Sequence, residues 1–324
     1  MLRSFVVDKD LLRPVDSLSS APDDVVWVDV LNPTPEEEGQ VEAWLGVDIP
    51  TREDMEEIEI SSRLYVENGT YFMTATLPSQ TDTDKPVMSP VSFVLSGHRL
   101  VTVRYHEPQV FKGFPLRAEK VPLGCTSGET ILITLLEAIV DRLADVLERV
   151  AHEVLDVSQA VFHPAQHNAS QRGRDFQLIL RKIGRKEELI SNMHDSLVTL
   201  QRLAGFFGNA TLREDKASGL RGRIKTLSRD VASLSDYASF LSQKVTFLLD
   251  ATLGMINIEQ NGIIKIFSVA AVVFLPPTLV ASIYGMNFEV MPELRWILGY
   301  PFALVLMVIS AVLPFLYFKR RGWL

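Results

Sequence analysis

The period of the hydrophobic pattern changes twice along the chain, and each change marks a new kind of structure. Val25 to Val30 is a β-branched run that predicts a strand. Thr34-Pro35-Glu36-Glu37 follows it, with Thr34 able to cap, Pro35 suited to a first helical turn and Glu37 completing a capping box. Arg63 to Leu77 reads as a pair of strands around Asn68-Gly69, and Val91 to Arg104 as another pair around Ser96-Gly97. Met1 to Pro14 only alternates charge with short apolar pieces, without the pattern of a signal peptide. These signals predict a small α/β domain with a meandering sheet. From Glu129 the spacing becomes helical: Glu129 to Phe162, a pause at His163-Pro164, then Ser170 to Phe207 and a break at Gly208-Asn209. From Ser218 no proline occurs until Pro276, which predicts one helix of roughly 65 residues, about 100 Å long.

The second change is to continuous apolarity. Ile266 to Phe288 and Trp296 to Phe318 are uncharged runs of 23 residues each, separated by Glu289 to Arg295. Each matches a hydrocarbon core of roughly 30 Å as a helix, so the expectation is a transmembrane hairpin in a lipid bilayer. Lys265 precedes the first run, Lys319-Arg320-Arg321 follow the second, and the loop between holds Glu289, Glu293 and only Arg295. The positive-inside tendency then predicts cytoplasmic N- and C-termini and an outward loop. The chain of 324 residues carries 40 acidic against 32 basic residues, a balance that favours cations over nucleic acid as guests. A single cysteine, Cys125, excludes a disulfide within the chain.

Helical spacing from Asp250 gives a stripe: Asn257, Asn261, Ile264, Ser268, Ala271, Leu275, Thr278 and Ser282, with Gly285 and Asn287 at its end. Polar and apolar levels alternate along it, as in a helix lining an ion path, and Ile264, Phe267 and Leu275 are candidate constrictions that close by dewetting. Ile266, Val269, Val273, Phe274 and Val280 fall on the other side, suited to lipid or the second span. Tyr284-Gly285-Met286-Asn287 ends the run with carbonyls and a side-chain amide free to face a hard, hydrated cation. A plain membrane anchor, in which Ser, Thr and Ala only allow close packing, fits the periodicity equally well.

Longer strings decide between them. Asn257-Ile258-Glu259-Gln260-Asn261, Ile263 to Ser268, Val273 to Ser282, Tyr284 to Glu289, Met291 to Leu294, Tyr317 to Arg320 and Trp323-Leu324 together resemble the CorA family of magnesium transporters, in its enterobacterial-type branch. The resemblance is dense over the last seventy or so residues and architectural before them. It implies an α+β membrane protein: a cytoplasmic α/β domain (1–125), a helical hairpin (126–212), a stalk helix (213–262), a pore-lining first span (263–288), a periplasmic loop (289–295), a second span (296–318) and a basic tail (319–324). It further implies a funnel-shaped homopentamer in the bacterial inner membrane, carrying Mg2+ and secondarily cobalt and nickel. On the matching positions, Gly285, Met286 and Asn287 form the selectivity filter, and Thr278, Asn261 and Asp250 are polar rings. Ile264, Phe267 and Leu275 form the gate, and Glu289 and Glu293 attract cations beside the mouth.

Some family members also close when Mg2+ binds acidic residues between the α/β domain and a stalk. The stalk position expected to carry such a carboxylate is Thr226 here, leaving Asp230 and Asp236 on the stalk and Asp82 and Asp84 in a loop as candidates for regulatory metal. No organic cofactor, nucleotide or enzymatic activity is expected. Gly219 to Thr226 looks like a phosphate loop only superficially, because Ile224 stands where glycine is needed. His152-Glu153 lacks the second histidine of a zinc protease, and His163 and His167 flank Pro164 in an expected surface turn. The rival readings are a zinc transporter of the same superfamily and a membrane-anchored signalling module.

Overall fold

A computed structural model describes the chain except residues 16, 17, 19–22, 84, 164–168, 212–217, 288–290, 292–295 and 324, and except the side chains at 169–172, 210, 211 and 218. It divides into two compact units: Met1–His167 with Gln177–Leu249, and Asn168–Phe176 with Asp250–Leu324.

The first unit is built on one seven-stranded sheet. Its strands are β1 (Leu2–Asp8), β2 (Leu11–Val15), β3 (Val25–Leu31), β4 (Leu64–Glu67), β5 (Thr70–Ser79), β6 (Val87–Ser96) and β7 (Arg99–Arg104), in the order β2-β1-β3-β7-β6-β5-β4. All neighbours are antiparallel except β3 and β7, which pair in parallel with Trp27 opposite Leu100. The expected hairpin at Asn68-Gly69 forms, both residues taking positive φ (50° and 81°). The β1–β2 hairpin has no such signature, because Lys9 and Asp10 take the positive φ values instead (50° and 64°). β2 is an edge strand, where Pro14 is tolerated.

Alternation along β3 and β7 sends residues to two different layers. Val28, Val30, Val101 and Val103 join the core beneath α1 (Pro35–Leu45) and α2 (Arg52–Glu56) through Val41, Leu45 and Met55. The predicted capping box starts α1, with Glu37 N–H donating to Thr34 Oγ1 (3.3 Å). A short α3 (Ile60–Arg63) leads into β4. On the opposite face Trp27 stacks on Phe5 (centroids 4.5 Å apart) and meets Phe114 of α4 (Val110–Ala118) edge-on. The same face buries an ion pair. Arg104 donates to Asp29 from Nε (3.0 Å) and Nη2 (2.8 Å), Thr102 Oγ1 donates to the same carboxylate, and Trp27 Nε1 donates to Thr102 Oγ1.

The helices α5 (Gly128–Phe162) and α6 (Ala169–Thr211) follow, then α7 (Ser218–Tyr284) and α8 (Gly299–Arg320). Gly128 lets α5 start hard against β7: its N–H donates to His98 O at 2.7 Å, and a Cβ there would lie 2.8 Å from that oxygen. α6 runs through Gly208 to Thr211 rather than breaking at Gly208-Asn209, because an isolated glycine costs a packed helix only about 1 kcal/mol. Within the first unit α7 buries Ile224, Leu227, Val231, Ala238, Leu241, Val245 and Leu248, a seam of nearly heptad spacing. Ion pairs Arg223–Glu137 and Lys186–Glu153, and a hydrogen bond from Ser242 Oγ to Glu187 (2.8 Å), tie these helices together. Gly219 to Thr226 lies inside α7, so the phosphate-loop resemblance is helix and no loop. Cys125 is buried, and burial pushes its thiol pKa up, as for a packed residue.

Candidate site along the first membrane-length helix

In the second unit α7 and α8 are both long and apolar enough to cross a membrane. α8 runs alongside α7. At one end Ala281, Tyr284 and Gly285 face Trp296, Gly299, Tyr300 and Ala303 around a cavity of about 390 Å³, and at the other Lys265 meets Trp323. Val269 is only 3% exposed, and Val273, Pro276, Pro277 and Val280 are half-buried, which makes theirs the face turned to α8. Ile266 and Phe274, which the sequence suits to lipid or the second span alike, stay exposed.

At ~100° per residue the stripe lies roughly opposite that covered face. Asp250, Asn257, Asn261, Ser268, Ala271, Thr278 and Ser282 are all exposed in the single chain. So are Ile264 (60%), Phe267 (72%) and Leu275 (65%). The hydroxyls on it have a defined polarity. Ser268 Oγ donates to Ile264 O and Thr278 Oγ1 donates to Phe274 O, each at 2.8 Å. With their protons turned back onto the helix, the oxygens present lone pairs outward, as acceptors for water protons or a cation. Pro276 and Pro277 remove the N–H groups that would bond the carbonyls of Val272 and Val273, which leaves this part of the helix with fewer intrahelical bonds.

The helix ends just before Gly285, inside the expected span of 263–288. Tyr284 is its last residue, Gly285 N–H still donates to Ala281 O (3.0 Å) and Met286 N–H to Ile283 O (3.3 Å), while Met286 and Asn287 lie beyond the helix and are exposed. Gly285 does not owe its place to positive φ. A Cβ there would come 3.2 Å from Ala281 O, so glycine permits a tight turn over the last carbonyls. The loop carboxylates Glu289 and Glu293 lie outside the described residues.

An exposed, charge-poor polar stripe opposite a covered face, closed by Gly-Met-Asn, is joined by sequence kinship over nearly the whole chain. Residues 22–320 match the family described as "CorA-like Mg2+ transporter protein". The chain belongs to this family. It is 36% identical over 328 residues to a magnesium transport protein CorA of Pectobacterium atrosepticum, and 34% over 325 residues to that of Salmonella typhimurium, with all of both chains covered in each case. Its fold is that of the complete CorA magnesium transporter structure from Methanocaldococcus jannaschii (TM-score 0.79, 19% identity, covering 100% of this chain and 99% of that one). CorA-like proteins are ion transporters and not enzymes, in keeping with the expectation drawn from the residues.

Asp82, Asp84, Asp230 and Asp236 are the candidates for a second cation site. Asp82 is held between Arg142 (3.2 Å) and Arg149, and Arg149 Nη2 also donates to Thr81 O (2.7 Å). The Arg149 guanidinium holds the Asp82 carboxyl below its usual range. Two guanidiniums on one carboxylate disfavour a cation there. Asp84 lies outside the described residues, and Asp230 and Asp236 are exposed on α7. Among the described residues no group of three or more His, Cys, Asp or Glu is placed to hold a metal ion. Sequence reading passed over Glu137, Asp141 and Asp145, an acidic row on one face of α5 beside a cavity of about 560 Å³ that Arg117 and Arg223 also line. Burial, and then the charges of Asp145 and Glu137, raise the Asp141 pKa, with Asp230 near enough to add to the effect. Carboxylates at four-residue spacing on an amphipathic helix look like an ordinary solvated face, so no sequence signal marks them.

Proposed function

We propose that this chain carries Mg2+ into the cell through a pore lined by α7 helices of several copies, five by resemblance to the CorA family, with both termini cytoplasmic in the bacterial inner membrane. The observation that carries the reading is the stripe from Asp250 to Ser282, left open along one face of a membrane-length helix whose other face is covered. A second support is the name of its relatives, magnesium transport proteins matched from end to end.

The chemistry follows from the ligands. Mg2+ gives up water reluctantly, and a ring of Asn287 amide oxygens with Gly285 and Met286 carbonyls accepts hydrogen bonds from the waters of its hydration shell without stripping it. Below it, Ser282, Thr278, Ser268, Asn261 and Asn257 pass the hydrated ion between acceptor levels, and Asp250 offers charge at the exit. Ile264, Phe267 and Leu275 form apolar rings between those levels, closing the path by dewetting. Glu289 and Glu293 concentrate cations at the mouth. No fuel molecule is needed: a divalent ion entering a negative interior gains about 4.6 kcal/mol per 100 mV, twice the single-charge value. Cobalt and nickel, hydrated divalent ions of similar size, pass as secondary substrates, and cytoplasmic Mg2+ closes the pore.

The test is influx into liposomes holding the purified protein under an inside-negative potential, with internal Mg2+ varied. Wild-type chain is expected to admit Mg2+, less as internal Mg2+ rises, and Asn287→Ala to admit none while keeping its assembly. Normal influx through Asn287→Ala refutes the filter. Passage of zinc and not Mg2+ moves the chain to the zinc-transporting reading.

A further inference from the structure

The C-terminal tail closes on α7 through a built motif. After α8, Gly322 takes a left-handed φ of 68°, its N–H donates to Lys319 O (3.2 Å), and Trp323 N–H donates to Phe318 O (3.1 Å). These are the paired bonds of a Schellman cap, completed by its usual apolar contact, here Trp323 on Phe318 with ring centroids 5.2 Å apart. The cap fixes where the Trp323 ring lies, and Lys265 Nζ sits 5.8 Å from its centroid, within cation–π range.

Lys265 occupies a sensitive place. It follows Ile264 directly, stands one turn from Asn261 and one turn from Ser268, and is four residues from Val269 on the covered face. Its side chain therefore has two ways to lie: over the cap, or toward the stripe. Lying toward the stripe, its ammonium would stand among the acceptor levels that a divalent cation must pass, and its like charge would oppose passage. Among residues Asp250 to Tyr284 it is the one basic side chain.

We infer that Trp323 is a positioning residue for cation passage: its ring holds the Lys265 ammonium against the end of α8 and keeps positive charge off the stripe. The inference rests on the proposed pore. A cation–π contact at the exposed end of the known range favours the held arrangement about two- to fivefold in each chain, and the effect compounds where several copies surround one path.

The test uses the full-length protein in liposomes. Trp323→Ala is expected to lower Mg2+ influx about threefold or more, Trp323→Phe to keep most of it, and Lys265→Gln to match or exceed wild type. The double variant Trp323→Ala with Lys265→Gln is expected to return to the level of Lys265→Gln alone, which a merely structural tail would not do. In parallel, amine-reactive labelling of Lys265 read by mass spectrometry should rise in Trp323→Ala, and this readout is independent of transport. Wild-type influx unchanged in Trp323→Ala, loss of influx in Lys265→Gln, or an unrescued double variant each overturns the inference. Absence of Mg2+ influx in wild type overturns the pore instead, and the labelling then still reports the contact.

Discussion

Asp29→Asn isolates a buried ion pair in the middle of the seven-stranded sheet. Asp29 and Arg104 are each 1% exposed, and the pair crosses from β3 to β7, the one parallel junction of the sheet. The carboxylate accepts from Arg104 Nε, Arg104 Nη2 and Thr102 Oγ1, while Arg104 also donates to His106 O (3.0 Å) and lies over the Phe111 ring. The substitution keeps the shape but removes the charge, turns an amide N–H₂ toward a guanidinium, and leaves that guanidinium buried without its counter-charge. Breaking such a pair costs about 3–5 kcal/mol. At about 2–4 °C per kcal/mol for a unit of this size, the apparent unfolding temperature falls by roughly 6–20 °C. The assay is thermal unfolding of the full chain in detergent, followed by circular dichroism. Replacing both partners, Asp29→Leu with Arg104→Met, should cost less than Asp29→Asn alone, because no uncompensated charge remains. A shift under about 3 °C for Asp29→Asn, or a double variant as unstable as the sum of its singles, refutes the reasoning.

Two further substitutions check the packing and the electrostatics. Gly128→Ala would bring a Cβ within 2.8–2.9 Å of His98 O, Arg99 C and Leu100 N, all backbone atoms that cannot rotate away, and should cost about 1–3 kcal/mol in the same melt. Gly39→Ala, an open helical position of α1 with nothing within 4 Å, should instead be neutral or slightly stabilising, and equal losses at the two positions would refute the close-approach argument. Asp141 has its pKa raised by burial and by Asp145 and Glu137, so the stability it contributes is present below its ordinary value of 3.8 and is lost as pH rises through the folded value. Asp141→Asn should therefore raise the unfolding temperature at about pH 7 and not at about pH 3, and an equal gain at both would exclude a charge effect.

What was legible in the sequence is what local chemistry decides. The capping box at Thr34, the hairpin at Asn68-Gly69 and the end of α7 at Gly285 are each specified by residues within four positions of one another. The hairpin at Lys9-Asp10 was not, because Lys9 gives no sign of the left-handed backbone it adopts and Asp10 alone is a weak one. The sheet order was out of reach for a different reason: β3 meets β7 across more than seventy residues, and nothing local announces a parallel partner. Asp29 within Val28-Asp29-Val30 is a sign that was there to read, since a charge inside a β-branched run demands a partner, but Arg104 is recognisable only once the strands are aligned. On α7, spacing alone puts the stripe on one face and the residues suited to lipid or the second span on the other, but which of these meet α8 depends on where α8 lies: Val269 is covered, while Ile266 and Phe274 stay exposed.

The exposure of α7 in a single chain argues for company in the membrane. Phe240 and Phe247 are exposed on its first part, and Ile264, Phe267 and Leu275 on its second, on a helix already packed along another face. Apolar exposure at membrane depth is no cost in lipid, but Ser282 and, past the helix end, Asn287 are a cost there, since an amide or hydroxyl in hydrocarbon goes without partners; Asn257 and Asn261 precede Lys265 and lie before the apolar run. Ser268 and Thr278 escape that cost by bonding their own helix, yet the Asn287 amide, beyond the last turn of α7, has more donors and acceptors than one helix end can absorb. A lone hairpin would therefore turn its least lipid-compatible face to lipid. Closing several stripes on one another replaces lipid by water and by the neighbouring amides, and in the same step makes the path that the proposed function requires.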